Sequence, residues 1–339
     1  MEPISETLPH QEFRTRLKGQ VVTIPDLYNL FPEWKPKLHD QYETARDNVL
    51  NPWLERWVEN PHICSKFQRA EFGVFAAIMC ADVTFEKLCT VAKYFAWVFF
   101  DCGSLTHNPE TLKVYRQKSL DYFRYTLCGR GDRPELSGFT AELQKALLCW
   151  DEILLQQMLD YVASVDSVDT ICQEDQIPSL EVYWQRRERT AAVYPVIGTI
   201  PFIYGIDLSR TDQRNEMLMK LWKYTSYLVH ITNDMISLRK ELKDNQIENL
   251  IPILMLNEGL ECNEAMQRGF ELAESQANGF HEHEDLFRQG RCAASQHTFE
   301  VFTKGCKDVV MGLIHWSYSG ERYFKKVEID VEKRVRFRV

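Results

Sequence analysis

The chain reads as an all-α fold, and three observations lead there. Only 15 of its 339 residues are glycine and 13 are proline, so the residues that break helices are sparse for this length. Long amphipathic or apolar windows dominate, and alternating β-branched runs of the strand type are few. Hydrophobic residues make up 45% and aromatics 12%, ample for a large core. No Pro/Gly/Ser-rich linker, charge block or internal repeat divides the sequence. Residues 1–339 are therefore expected to form one helical domain, with the first ~20 residues and the tail from Val327 less ordered.

Taken in order, the stretch from Pro52 to Phe100, "PWLERWVENPHICSKFQRAEFGVFAAIMCADVTFEKLCTVAKYFAWVFF", reads as successive helices joined by brief turns. Its last, aromatic helix runs straight into Asp101 in "YFAWVFFDCGSLTH". Next, "YWQRRERTAAVYP" carries Arg186, Arg187 and Arg189, which could serve only as a helix face paired with Glu181 and Glu188. The residues just after them favour a site: the small Ala191 and Ala192, then Pro195 and Pro201, which interrupt regular helix and free backbone carbonyls inside the protein.

The segment "LWKYTSYLVHITNDM" is apolar and aromatic, and it leads into "NDMISLRKE", Asn233 to Glu241. Steps of four residues turn only slightly about a helix axis, so Asn233, Ser237 and Glu241 share a face and offer an amide oxygen, a hydroxyl and a carboxylate to one point. Such an oxygen set suits Mg²⁺, which is commonly bound through one or two carboxylates together with substrate phosphates. Lys240, seven residues after Asn233, offers a cation to a phosphate held there. A solvated polar face is the plainer reading, and "KELKDNQIEN" directly after looks exposed. The apolar run before Asn233 argues instead for a buried helix meeting a polar site. His230, one turn earlier, is read as a satisfied buried imidazole without a catalytic role.

A net charge of −9 argues against a nucleic-acid partner, because phosphate backbones demand concentrated Lys and Arg. The basic end "KRVRFRV" is the exception and is read as a solvated tail. Ten cysteines are scattered without CxxC pairs or zinc spacing, as expected of free thiols in a reducing compartment. The N-terminus has no apolar signal core, and "VAKYFAWVFF" is too short to span a bilayer. These features predict a cytoplasmic enzyme without stable membrane insertion.

The Asn-Asp-x-x-Ser-x-x-x-Glu pattern followed by "NLIPILM" resembles the second metal motif of class I terpene synthases, in particular single-domain microbial sesquiterpene synthases. "YWQRRERTAAVYP" resembles the family's segment bearing a diphosphate-sensing arginine, here Arg187, with Thr190, Ala191 and Ala192 in the positions after it. "HWSYSGERYF" resembles its closing Arg-Tyr pair, here Arg322 and Tyr323, and "IPDLYNLF" near the start also fits, so the likeness spans nearly the whole chain. The first metal motif departs from the pattern. Asp101 is present, but Cys102 replaces the second acid, and Leu105 and Thr106 stand where a third would be.

The resemblance implies a helical bundle around a central active-site cavity and the ionisation of a linear prenyl diphosphate, farnesyl diphosphate for a chain of this size with geranyl diphosphate as the alternative. It implies three Mg²⁺ ions, with Mn²⁺ as a substitute, on Asp101, Asn233, Ser237 and Glu241. Arg187, Lys240, Arg322 and Tyr323 would hold the diphosphate. Phe95, Trp97, Phe99, Tyr183, Tyr194 and Trp316 are candidates for the aromatic cavity wall, although an aromatic on a helix packs into the core by default. Monomers or homodimers are the expected assemblies. A chain-elongating prenyltransferase would need two aspartate-rich motifs, which are lacking, and a non-catalytic diphosphate-binding descendant rests on the incomplete first motif alone.

Overall fold

The computed structural model describes residues 13, 17–58, 60–101, 117, 121, 160–161, 178–206, 208, 216–243, 248–289 and 293–339. Helices account for most of them: α1 (Asn51–Trp57), α2 (Pro61–Ala70), α3 (Phe72–Met79) and α4 (Phe85–Asp101), then α5 (Leu180–Thr190), α6 (Val193–Ile197) and α7 (Ile200–Tyr204). The long α8 (Glu216–Lys243), the short α9 (Leu250–Asn257), and the long α10 (Cys262–Gln289) and α11 (Ala293–Ser319) follow, and a further helical turn, Tyr42–Ala45, leads through a π-helical turn, Arg46–Leu50, into α1. Three of their starts, those of α2, α5 and α9, follow local chemistry, since side-chain oxygens satisfy the orphan N–H groups of a first turn. Asn60 accepts from the amides of His62 and Ile63, with Pro61 as the first helical residue. Ser179 accepts from Val182 N, and Asn249 from Ile251 N.

Every residue of α3 is buried, as expected of a helix that is apolar all round. It lies between α4 and α11, while α8 runs against α10 and α11. Close approach in the centre depends on two glycines of α11. A Cβ on Gly312 would run into Phe75 Cδ2, and one on Gly305 would stand 2.6 Å from Ile200 Cγ2, both far inside contact distance. Among the described residues no helix is long and apolar enough to cross a membrane.

Two short strands depart from the helical reading. β1 (Val21–Ile24) pairs antiparallel with β2 (Val335–Arg338), Val21 opposite Arg338 and Ile24 opposite Val335. The basic tail is therefore not a solvated segment. Its residues alternate, so a strand turns Val335 and Phe337 inward, both buried, and leaves Arg336 and Arg338 exposed. Counting only the basic residues hid that period of two.

The interruption expected after Arg187 is present, and its geometry is specific. Helix α5 stops at Thr190, and Ala192 adopts left-handed backbone, φ 58° and ψ 15°, which costs a non-glycine residue on the order of 1 kcal/mol. Pro195 and Pro201 lie within the first turns of α6 and α7, where a missing N–H costs nothing. The prolines thus restart helix just beyond each interruption.

Candidate functional site

Helix α8 is buried along most of its length, and its polar residues gather toward its C-terminal half. Asp234 is fully buried, and Ser237 nearly so. A buried carboxylate must be paired, and four donors converge on Asp234. Arg187 gives it two of these, from Nε at 3.0 Å and Nη2 at 2.5 Å, both to Oδ1. Tyr183 Oη donates to Oδ2 at 2.6 Å, and the backbone amide of Leu250 at 2.7 Å. Arg187 Nη2 also donates to Asn233 Oδ1 at 3.0 Å. Arg187 therefore points across to α8 rather than joining the surface acids of its own helix. Glu188 instead accepts from the Tyr194 and Tyr227 hydroxyls.

Asn249, the cap of α9, ties the next turn in. Its Nδ2 donates to the Asp234 carbonyl at 2.7 Å and to Glu241 Oε2 at 2.9 Å. Asn233 Nδ2 reaches the Tyr323 hydroxyl at 3.5 Å, bringing the end of the chain to the same face. Arg322 lays its guanidinium across the rings of Phe72, Trp316 and Tyr323, with centroids at 5.3, 5.8 and 5.4 Å. Lys240 stands half-buried on α8. Asp101 is the last residue of α4. The side chains of Asp101, Trp97 and Phe99, together with Cys102, Leu105 and Thr106, lie outside the described residues.

The electrostatics of the face suit a cation. Burial, and then repulsion from Asp234, push the Glu241 carboxyl above the usual carboxylate range, against the opposing pull of Arg187, Asn249 and Ser237. Burial works against the charge on Arg187, but Asp234, Tyr183 and Glu241 outweigh it and raise its pKa, so it stays protonated. Among the described residues the Ser237 hydroxyl has no full hydrogen-bond partner, although it lies close enough to Glu241 to favour the ionised form. Among the described residues no three His, Cys, Asp or Glu side chains converge as a metal cluster. The face instead offers an amide, a hydroxyl and one destabilised carboxylate, all hard oxygen donors. That set fits Mg²⁺ completed by phosphate oxygens and water.

His230 corrects the sequence reading. It is fully buried, but among the described residues neither ring nitrogen has a hydrogen-bond partner, and the ring packs against Trp184 and Tyr227, at 5.6 and 4.8 Å between centroids. Burial, then the nearby Arg187 charge, holds its pKa well below the ordinary histidine range. In the unfolded chain it protonates below pH ~6.5, whereas in the folded state it stays neutral, so its contribution to stability is lost as pH falls. His230→Phe should match or exceed wild-type stability at pH 7.5. Below pH ~6.5 it should shed up to ~1.4 kcal/mol per pH unit of acid sensitivity. Denaturant melts at pH 5, 6 and 7.5 test this.

The aromatic candidates divide by what their polar atoms do. Phe95 is core, packed on Phe75 at 4.9 Å. Tyr183 commits its hydroxyl to Asp234, Tyr194 commits its own to Glu188, and buried Trp316 donates from Nε1 to the Ala70 carbonyl. The sequence reading missed Asp234 as the anchor of Arg187, Asn249 as the link to Glu241, and Arg239. A signal for the first existed, because an acid inside an apolar helical run needs a buried cation.

Residues 136–277, which contain Arg187 and the whole stripe from Asn233 to Glu241, match the family described as terpene synthase family 2, C-terminal metal binding. The terpene cyclase braA of Annulohypoxylon truncatum is 24% identical, over 95% of this chain and 92% of its own. The germacrene A synthase of Nostoc punctiforme is 21% identical, over 91% and 97%. The fold is that of the linalool/nerolidol synthase of Streptomyces clavuligerus, with a TM-score of 0.72 at 15% identity, covering 84% of this chain and 98% of that one. An α-eudesmol synthase superposes with a TM-score of 0.71 at 14% identity, over 84% and 97%. With the oxygen stripe and its arginine on adjoining helices of this fold, residues 136–277 match a terpene synthase metal-binding region, and the chain is similar to microbial terpene synthases along nearly its whole length.

Proposed function

We propose that this terpene cyclase ionises farnesyl diphosphate and turns the resulting cation into a sesquiterpene hydrocarbon or alcohol. One observation carries the reading: Arg187 is hydrogen-bonded to Asn233 and Asp234, so a cation suited to a diphosphate stands at the first turn of the oxygen stripe. The substrate length follows the relatives, which include the sesquiterpene cyclase hepA of Aspergillus oryzae, 22% identical over 93% of this chain and 92% of its own. A second reading, geranyl diphosphate, is favoured by one structural neighbour that was solved with 2-fluorogeranyl diphosphate. The matches run along more than nine-tenths of the sequence, which supports one domain over residues 1–339. We place the enzyme in the cytoplasm, as a monomer or homodimer without a nucleic-acid partner.

Asp101, Asn233, Ser237 and Glu241 would hold the divalent metal on which the family depends, three Mg²⁺ or alternatively Mn²⁺, which when bound neutralises the diphosphate and favours departure of the leaving group. Arg187, Lys240, Arg322 and Tyr323 grip the phosphate oxygens. As the C–O bond breaks, both electrons leave with the diphosphate oxygen, and cationic groups aimed at that charge lower the barrier. Asp234 and Tyr183 fix the angle of Arg187 through their buried hydrogen bonds. The allylic cation left behind needs a dry, inert wall whose ring faces stabilise positive charge.

The test is incubation with farnesyl diphosphate and Mg²⁺, with geranyl diphosphate and EDTA controls, followed by gas chromatography and mass spectrometry. A metal-dependent fifteen-carbon product is expected, and absence of product from either substrate would overturn the reading. The first motif gives a further prediction. Asp101→Asn should lose at least ~100-fold in kcat/KM, whereas Cys102→Asp, which adds a hard oxygen donor beside it, should lower the Mg²⁺ concentration needed for half-maximal rate. Full activity in Asp101→Asn would mean that the first metal site lies elsewhere.

A further inference from the structure

Arg239 lies inside the metal-binding sequence but faces away from it. At about 100° per residue it stands roughly 160° around α8 from the mean direction of Asn233, Ser237 and Glu241. Its contacts all lie on the C-terminal segment. Nη1 donates to Glu328 Oε1 at 2.6 Å, and Nη2 to Glu328 Oε2 at 2.8 Å and to the Tyr323 carbonyl at 2.7 Å. Its face covers the ring of Phe337 in β2, with the centroid at 4.8 Å. Both members of the ion pair are well shielded, with 15% and 17% of their side chains exposed. Tyr323 thus straddles the helix, its carbonyl held behind α8 and its phenol over Asn233 on the metal face.

We propose that Arg239 is a positioning residue for the diphosphate grip. By fixing the Tyr323 carbonyl and the Glu328 carboxylate together, it sets where Arg322 and Tyr323 stand relative to the metal face, and it makes the C-terminal ribbon part of the active-site architecture. Only a guanidinium fork can serve two carboxylate oxygens and a carbonyl while stacking on a ring. Lysine keeps the charge but not the geometry. Glu328 is held in turn, because its Oε2 also accepts from Lys325 N at 2.8 Å. The inference rests on the proposed function in taking Arg322 and Tyr323 as diphosphate ligands.

Arg239→Lys and Glu328→Gln in the full chain test it. Without any ligand, hydrogen–deuterium exchange across residues 320–328 should quicken about tenfold while that of the α8 centre is unchanged. Affinity for inorganic pyrophosphate with Mg²⁺ should weaken about tenfold, and kcat/KM for farnesyl diphosphate should fall by about tenfold or more, with kcat lowered as well. Unchanged exchange at 320–328 would overturn the proposal. So would faster exchange with unaltered pyrophosphate affinity, since Arg239 would then be a strut and nothing more. If the wild type itself failed to bind Mg²⁺-pyrophosphate, the functional reading would fall, while the exchange data would still decide whether Arg239 fixes the corner.

Discussion

Glu241→Ala should cut turnover by about a thousandfold or more while leaving the metal-free protein as stable as wild type, or more so. The activity loss follows from removing the one carboxylate of the α8 stripe, because an interaction that stabilises leaving-group charge in a dry site is worth several orders of magnitude in rate. The stability outcome follows from the electrostatics around Glu241. Burial and Asp234 both oppose ionised Glu241, and Asn249 would keep its bond to the Asp234 carbonyl after the substitution. The folded pKa lies above the ordinary one, so the folded state binds the proton more tightly. Stability is therefore highest below the ordinary glutamate range and declines as pH rises toward the folded pKa. The advantage of the alanine variant should accordingly be larger at pH 7.5 than at pH 4.5. A second readout is independent of catalysis. Mg²⁺ with pyrophosphate should raise the wild-type melting temperature by mass action on the folded state and should leave that of Glu241→Ala unmoved. Asn233→Ala should behave alike in activity. Turnover within tenfold of wild type in either variant would remove the α8 stripe from the mechanism.

What could be read in the sequence was what is local to one helix. Asn233, Ser237 and Glu241 lie four residues apart, so their common face needs only helical geometry, and the apolar run from Leu221 to Met235 marked the helix as buried before any partner was known. Relations between distant segments were not legible in the same way. Arg187 could be named from its motif, but its bond to Asp234 depends on how α5 meets α8. The link from Asn249 to Glu241 depends on a cap that opens a different helix. Arg239 looked like one more polar residue, because its partners Glu328 and Phe337 come from a tail whose strand pairing was hidden beneath its positive charge. His230 shows the opposite limit. Burial was readable from its neighbours, but the lack of a partner for its nitrogens among the described residues is a property of packing alone.

Asp234→Asn should destabilise the protein by about 3 kcal/mol and lower its melting temperature by about 4 °C, because it leaves a largely shielded guanidinium, 16% exposed, without its carboxylate. The geometry gives the reason in detail. An asparagine oxygen in place of Oδ2 could still accept from Tyr183 and from Leu250 N. Its amide nitrogen would then replace Oδ1 and present donors to the donors of Arg187. Activity should fall as well, since Arg187 would lose the bonds that aim it. The double variant Arg187→Gln with Asp234→Asn separates the two effects. The glutamine oxygen can accept from the asparagine amide and no buried charge is left alone, so most of the stability should return. Activity should not, because no cation would then stand beside Asn233. Recovery of both would mean that Arg187 serves only to neutralise a buried acid. Recovery of stability alone would establish that the pair is held together by folding and used in catalysis.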